Sequence, residues 1–179
     1  MARLLSQAHL KNSLALKKPL FGRLNTEYFR NLMFGIEDGF VSTAGVMFGI
    51  ATATSDRRYI LIAGIITVIV EATSMGIGAY LSEKSSKELD GRHHHQMKSI
   101  IDGIVMFFAY GIAGSLCVAP YALWTPSLAK LVSVIITLIG LFLLGFLPTK
   151  SYKRGIEVSA LAGVAMFIGY LAGNLLQRL

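Results

Sequence analysis

Five stretches of this sequence are long, apolar and close in length to the hydrocarbon core of a bilayer. They run from about Asn31 to Thr54, Tyr59 to Leu81, Ile100 to Leu123, Leu128 to Leu147 and Ile156 to Leu176. A helix needs about 20 mostly apolar residues to cross that core. In lipid the backbone must satisfy its own hydrogen bonds, which a helix does within one segment. The expected fold class is therefore all-α: a polytopic membrane protein of five transmembrane helices in one bundle. Charge supports this, since only 15% of residues are charged where a soluble domain carries roughly 25%.

The formal net charge is +7. The basic residues lie between the apolar stretches, so they report topology and lipid-surface charge. No zinc knuckle and no interleaved basic and aromatic run points to nucleic acid, which is not an expected partner. With the N-terminus in the cytoplasm, thirteen of the 17 Lys and Arg fall on the inner side. That excess predicts a cytoplasmic N-terminus and an outward C-terminus. A re-entrant first stretch would leave the same bias, because the N-terminal arm and the 82–99 loop would still share one side.

Residues 1–28 form a basic, mildly amphipathic arm in which Leu4, Leu5 and Leu14 alternate with Lys11, Lys17 and Arg23. No apolar core followed by a small-residue cleavage site marks it as a signal peptide. It is expected to lie on the anionic cytoplasmic leaflet. The five-helix domain then occupies residues 29–179, with a short cytoplasmic loop at 82–99 read as a helix extension and a turn at Asp90-Gly91. Pro120, Pro126 and Pro148 are expected at or between span ends, where proline breaks no interior hydrogen bond.

Ionisable residues inside a span cost at least about 2.5–3.5 kcal/mol at the helix centre and normally face a bundle interior or a water-filled path. Glu37, Asp38 and Glu71 are the deepest here. Asp38 lies roughly 10 Å along the first span and Glu71 roughly 15 Å from the end of the second, at 1.5 Å per residue. Antiparallel neighbours would bring these acids to similar levels. Glu71, Ser74, Met75 and Gly78 share one helical face. Carboxylates bind iron(II) or manganese(II), a thioether adds preference for softer transition metals, and the same carboxylates can carry protons. The candidate metal ligands are Asp38, Glu71 and Met75, with Glu37 as an auxiliary acid. The competing reading makes Met75 a packing residue and pairs Glu71 with a loop arginine.

Gly35 and Gly39, and likewise Gly45 and Gly49, are four residues apart, a spacing that permits close helix contact within a chain or at a dimer seam. His93, His94 and His95 are expected to be solvated loop residues, with weak metal capture as the sharper alternative. Asp102 and Glu157 sit near span starts, where an acid favours the helix N-terminus. Cys117 is the only cysteine and is expected to pack. No Ser/His/Asp arrangement, phosphate loop or HExxH motif suggests an enzyme, and no cofactor is expected.

The segments FGIEDGFVSTAGVMFGIA and ATSMGIGAYLSEKS resemble the first two helices of the vacuolar iron transporter family, carrying Asp38-Gly39 and Ser74-Met75-Gly76. FFAYGIAGSLCVAPYAL, LIGLFLLG and ALAGVAMFIGYLAG resemble its last three helices more loosely, so that the likeness covers roughly residues 28–177. The resemblance implies a five-helix homodimer with a path at the subunit seam. It also implies transport of iron(II), and often manganese(II), out of the cytoplasm in exchange for protons. Asp38 matches the family's first-helix aspartate and Met75 its second-helix methionine. Plant members carry an acid where this chain has Thr67, and Glu71 is read as its substitute one turn on. Eukaryotic transporters insert an acid-rich metal-gathering domain after the second helix, which this chain lacks. The membrane would be the cell membrane of a prokaryote, or a vacuolar or other organelle membrane of a eukaryote. The alternative function is a metal-binding, sensing or scaffold membrane protein without transport.

Overall fold

The computed structural model describes residues 26–89 and 96–178. These form five helices: α1 (Thr26–Ala53), α2 (Arg57–Leu89), α3 (Gln96–Leu123), α4 (Pro126–Thr149) and α5 (Tyr152–Leu176). The described residues contain no strand. Almost all of the basic arm expected over 1–28, together with the Asp90-Gly91 turn and His93–His95, lies outside the described residues. The helical extension expected after Leu81 is present and runs to Leu89.

Four helices are long and apolar enough to cross a membrane: α2, α3 over Met97–Leu123, α4 and α5. The chain is an integral membrane protein. α1 has 28 residues, long enough to cross, but falls short in hydropathy. Its position explains why. α1 packs against all four other helices, and its surface is matched to protein rather than to lipid. Two core clusters form around it: Phe40 and Ala44 with Leu141, Ala162 and Met166, and Met47 and Ala51 with Ile60, Val118 and Tyr121.

Both glycine pairs of α1 are used inside the chain. A Cβ on Gly35 would stand 2.8 Å from Ala109 Cβ, and one on Gly39 would stand 2.7 Å from the Tyr110 carbonyl oxygen, so this half of α1 lies on α3. In the other half, a Cβ on Gly45 would meet the Ala165 carbonyl at 3.1 Å and one on Gly49 the Gly169 carbonyl at 2.8 Å, so that half lies on α5. Small residues at these places let the helix backbones touch, which drives packing where lipid removes the hydrophobic advantage of association.

The outer helices bury only narrow ribbons. In α2 the ribbon is Ile60, Gly64, Val68, Ala72 and Gly76, and in α4 it is Ala129, Ser133, Thr137, Leu141 and Gly145. Each is an i, i+4 series, one line along the helix. The remaining surface is Ile, Leu, Val and Phe facing outward, as lipid contact requires.

Pro120 and Pro148 fall in the last turns of α3 and α4, near the span ends as expected but still inside the helices. Proline removes one helical donor, and the end of α3 is secured differently: Arg57 Nε donates to the Tyr121 carbonyl at 2.9 Å and Arg57 also donates to the Ala122 carbonyl. Two sequence expectations need correction. Asp102 and Glu157 fall outside the first turns of α3 and α5, because both helices begin earlier than hydropathy indicates. The N-terminal electrostatic role therefore does not apply to either acid. Asp102 is fully buried and accepts from Asn31 Nδ2 at 2.8 Å, while Glu157 is exposed beside Arg154 at 3.4 Å.

Cys117 is fully buried, with Sγ 3.3 Å from Thr137 Oγ1, in agreement with a packing role.

Candidate metal centre

The site is built where α1 packs against α2 and α3. Gly39 brings the α3 backbone against α1 at Tyr110. Tyr110 is fully buried, and its hydroxyl lies 2.6 Å from Ser42 Oγ. Ser42 donates to the Asp38 carbonyl at 2.6 Å. Its single proton is thereby committed, which leaves its oxygen to accept from the tyrosine. This chain of bonds fixes the turn of α1 that carries Asp38.

Asp38 is half-buried. Glu71 on α2 lies within electrostatic range of it, and Tyr110 lies within range of both carboxylates.

Glu71 itself is exposed, as are Ser74 and Gly78 on the same face, and a Cβ on Gly78 would meet nothing within 4 Å. An acid flanked by apolar turns stands on a face that this chain's own helices leave open. Met75 follows Glu71 by one turn on the same flank of α2 and is partly buried. Glu37 is also partly buried. Consecutive helical residues diverge by about 100°, so Glu37 points away from Asp38. It falls on the line of Val41, Ala44 and Phe48, which pack toward α4 and α5.

Among the described residues, no three His, Cys, Asp or Glu side chains come together as a metal cluster. What one chain holds is two carboxylates within electrostatic range, Asp38 on a turn fixed by Ser42 and Tyr110 and Glu71 on α2, with the Met75 thioether one turn beyond Glu71. Sequence reasoning did not single out Tyr110 or Ser42. The available signal was a tyrosine in the middle of an apolar helix, whose hydroxyl has to find a partner when buried.

Comparison with known proteins adds an independent line. The sequence model of the VIT family matches residues 29–101, which hold all but the first three residues of α1, all of α2 and every candidate ligand. An uncharacterized protein of Methanocaldococcus jannaschii is 30% identical over 162 residues, covering 80% of this chain and 83% of that protein. Vacuolar iron transporter homolog 1 of Oryza sativa subsp. japonica is 27% identical over 163 residues, covering 80% of this chain and 68% of that protein. Vacuolar iron transporter homolog 4 of the same plant is 39% identical over 60 residues, a match that spans 33% of this chain and 28% of the homolog. With the family match on the two helices that carry the candidate ligands, and relatives that align over 80% of the chain, the chain belongs to the VIT family.

Proposed function

We propose that this protein carries a divalent transition metal, iron(II) and also manganese(II), out of the cytoplasm in exchange for protons. The observation that supports the reading is that two acids on neighbouring helices, half-buried Asp38 and exposed Glu71, lie within electrostatic range of each other, Glu71 on a face that the chain leaves uncovered. Two like charges near each other inside a membrane-embedded bundle favour a cation between them, and carboxylates there can also carry protons. Those two states are the alternating cargoes of an exchanger. Asp38, Glu71 and Met75 are the ligands in this reading. Oxygen ligands suit iron(II) and manganese(II), and the thioether biases the site away from magnesium and calcium. Glu37, on another face of α1, is at most an auxiliary acid along the route.

The same reading makes α1 a fifth crossing, with the N-terminus inside. A second copy of the chain covers the Glu71 flank and completes the coordination that two carboxylates alone leave unfilled. The VIT family match and the names of the plant relatives support a transport role.

The test is metal uptake into proteoliposomes under an imposed pH gradient. The parent is expected to accumulate iron(II) and manganese(II), and Asp38→Ala and Glu71→Ala to lose this. Transport at the parental rate by both variants would overturn the site. Saturable binding without flux in the parent would replace the transporter with a metal-binding or sensing protein.

A further inference from the structure

The other flank of α2 holds a second feature, unrelated to the metal pair. Glu71 and Met75 precede the buried Ala72 and Gly76 by one residue, whereas Thr73 and Ile77 follow them by one. The two sets therefore stand on opposite sides of the buried ribbon, about 100° from it in each direction. On the Thr73 side, α2 and α3 enclose a groove of about 490 Å³. Its floor is the contact of two glycines: a Cβ on Gly103 would stand 2.7 Å from the Gly76 carbonyl oxygen. Ile77, Ile104 and Phe107 form its walls, and Tyr80 stands at the end nearer the 82–99 connection. The Thr73 hydroxyl donates to the Ile69 carbonyl at 2.7 Å, so its polar group is already satisfied.

One turn beyond Tyr80, Lys84 holds Nζ 5.9 Å from the tyrosine ring centroid. Lys84 is only loosely engaged, with Glu88 at 4.0 Å and a side chain 38% exposed. The neighbouring Lys87 is committed, with Glu83 at 2.9 Å and Ser99 Oγ at 3.4 Å. Lys84 is therefore the cation available at the groove's mouth. From Thr73 to Lys84 α2 rises roughly 16 Å at 1.5 Å per residue, and one leaflet's hydrocarbon is about 15 Å deep, half of the bilayer core. An apolar slot of leaflet depth, closed by an amphipathic tyrosine and a loosely engaged lysine at the basic end of the bundle, matches a lipid that is apolar along its length and anionic at its head.

We propose that this groove is a binding site for an anionic phospholipid, its acyl chain along Gly76 and Gly103 and its phosphate at Lys84. Because the groove and Glu71 lie on opposite flanks, a second copy covering Glu71 leaves the groove to lipid. The site does not depend on which ion the protein carries.

The experiment uses tryptophan as a depth-resolved reporter. Trp124 is the only tryptophan. The double variant Trp124→Phe, Ile104→Trp is reconstituted into phosphatidylcholine vesicles containing a minor fraction of dibrominated phosphatidylglycerol or, in parallel, dibrominated phosphatidylcholine. Phosphatidylglycerol in both leaflets makes the result independent of orientation. One lysine near the surface is expected to favour the anionic lipid about fivefold over phosphatidylcholine. Adding Lys84→Gln should bring that ratio near one. Trp124→Phe, Ile139→Trp, with its reporter on the outward face of α4, should show no preference. Equal quenching by the two lipids at position 104 would overturn the proposal. So would quenching by neither, which would mean that protein covers the groove. Far-ultraviolet circular dichroism confirms that each variant keeps its helices, and Ile77→Trp provides a second reporter in the groove if Ile104→Trp does not fold.

Discussion

Replacing Gly39 by alanine tests how the site is held. The added Cβ would lie 2.7 Å from the Tyr110 carbonyl oxygen and 3.0 Å from Ala113 Cβ. Carbon atoms at optimal contact are about 3.5–4.0 Å apart, so α1 and α3 must separate by roughly 0.5–1 Å. The neighbour is helix backbone, which cannot swing aside as a long side chain would. Overpacking of this kind costs about 1–3 kcal/mol. Alanine regains about 1 kcal/mol of helix propensity over glycine. Gly163→Ala supplies the reference, because its Cβ would meet nothing within 4 Å and only the propensity gain remains. The difference between the two variants then isolates the packing cost and should be about 1–3 kcal/mol. Unfolding by sodium dodecyl sulfate in mixed micelles, followed by circular dichroism, measures it. Because the same shift pulls Tyr110 from Ser42, metal flux through Gly39→Ala should also fall. Gly39→Ala as stable as Gly163→Ala would refute the close α1–α3 contact on which the position of Asp38 rests.

Tyr110→Phe removes the 2.6 Å bond to Ser42 while Ser42 retains its bond to the Asp38 carbonyl; it should cost about 1 kcal/mol in the same unfolding assay and slow metal flux without changing the helical circular dichroism. Asn31→Ala deletes the 2.8 Å donor to the fully buried Asp102; loss of a bond to a carboxylate should destabilise the bundle by about 1.5–3 kcal/mol, again read from the unfolding midpoint, whereas the exposed Glu157→Gln should change it by less than about 0.5 kcal/mol.

Hydropathy made the outer helices legible and understated the central one. α2, α4 and α5 bury narrow ribbons and show lipid the rest, so their sequences read as spans with little ambiguity. α1 touches protein on most sides, and glycines, Thr43 and Asn31 suit that surroundings better than leucine does. A scale calibrated on transfer into lipid scores such a helix low. Glycine spacing in α1 was legible as a sign of close contact. Its partners were not, because the same spacing serves a neighbouring helix and a neighbouring subunit, and here both pairs meet helices of the same chain. Depth arithmetic along antiparallel helices put Asp38 and Glu71 at similar levels. That arithmetic carries no rotational information for a residue such as Glu37, which shares the level of Asp38 and faces elsewhere. Tyr110 was hidden because its role depends on a serine 68 positions away. Asp102 was misread because α3 begins at Gln96, before its apolar stretch does.

The central claim is that Asp38 and Glu71 hold the metal together. Crystals soaked in manganese(II), with anomalous diffraction recorded at the manganese edge, test it most directly. The account predicts an anomalous peak within about 2.5 Å of carboxylate oxygens from both residues, the reach of a hard divalent cation. Manganese bound elsewhere, with the Asp38 and Glu71 carboxylates free of it, would contradict the account.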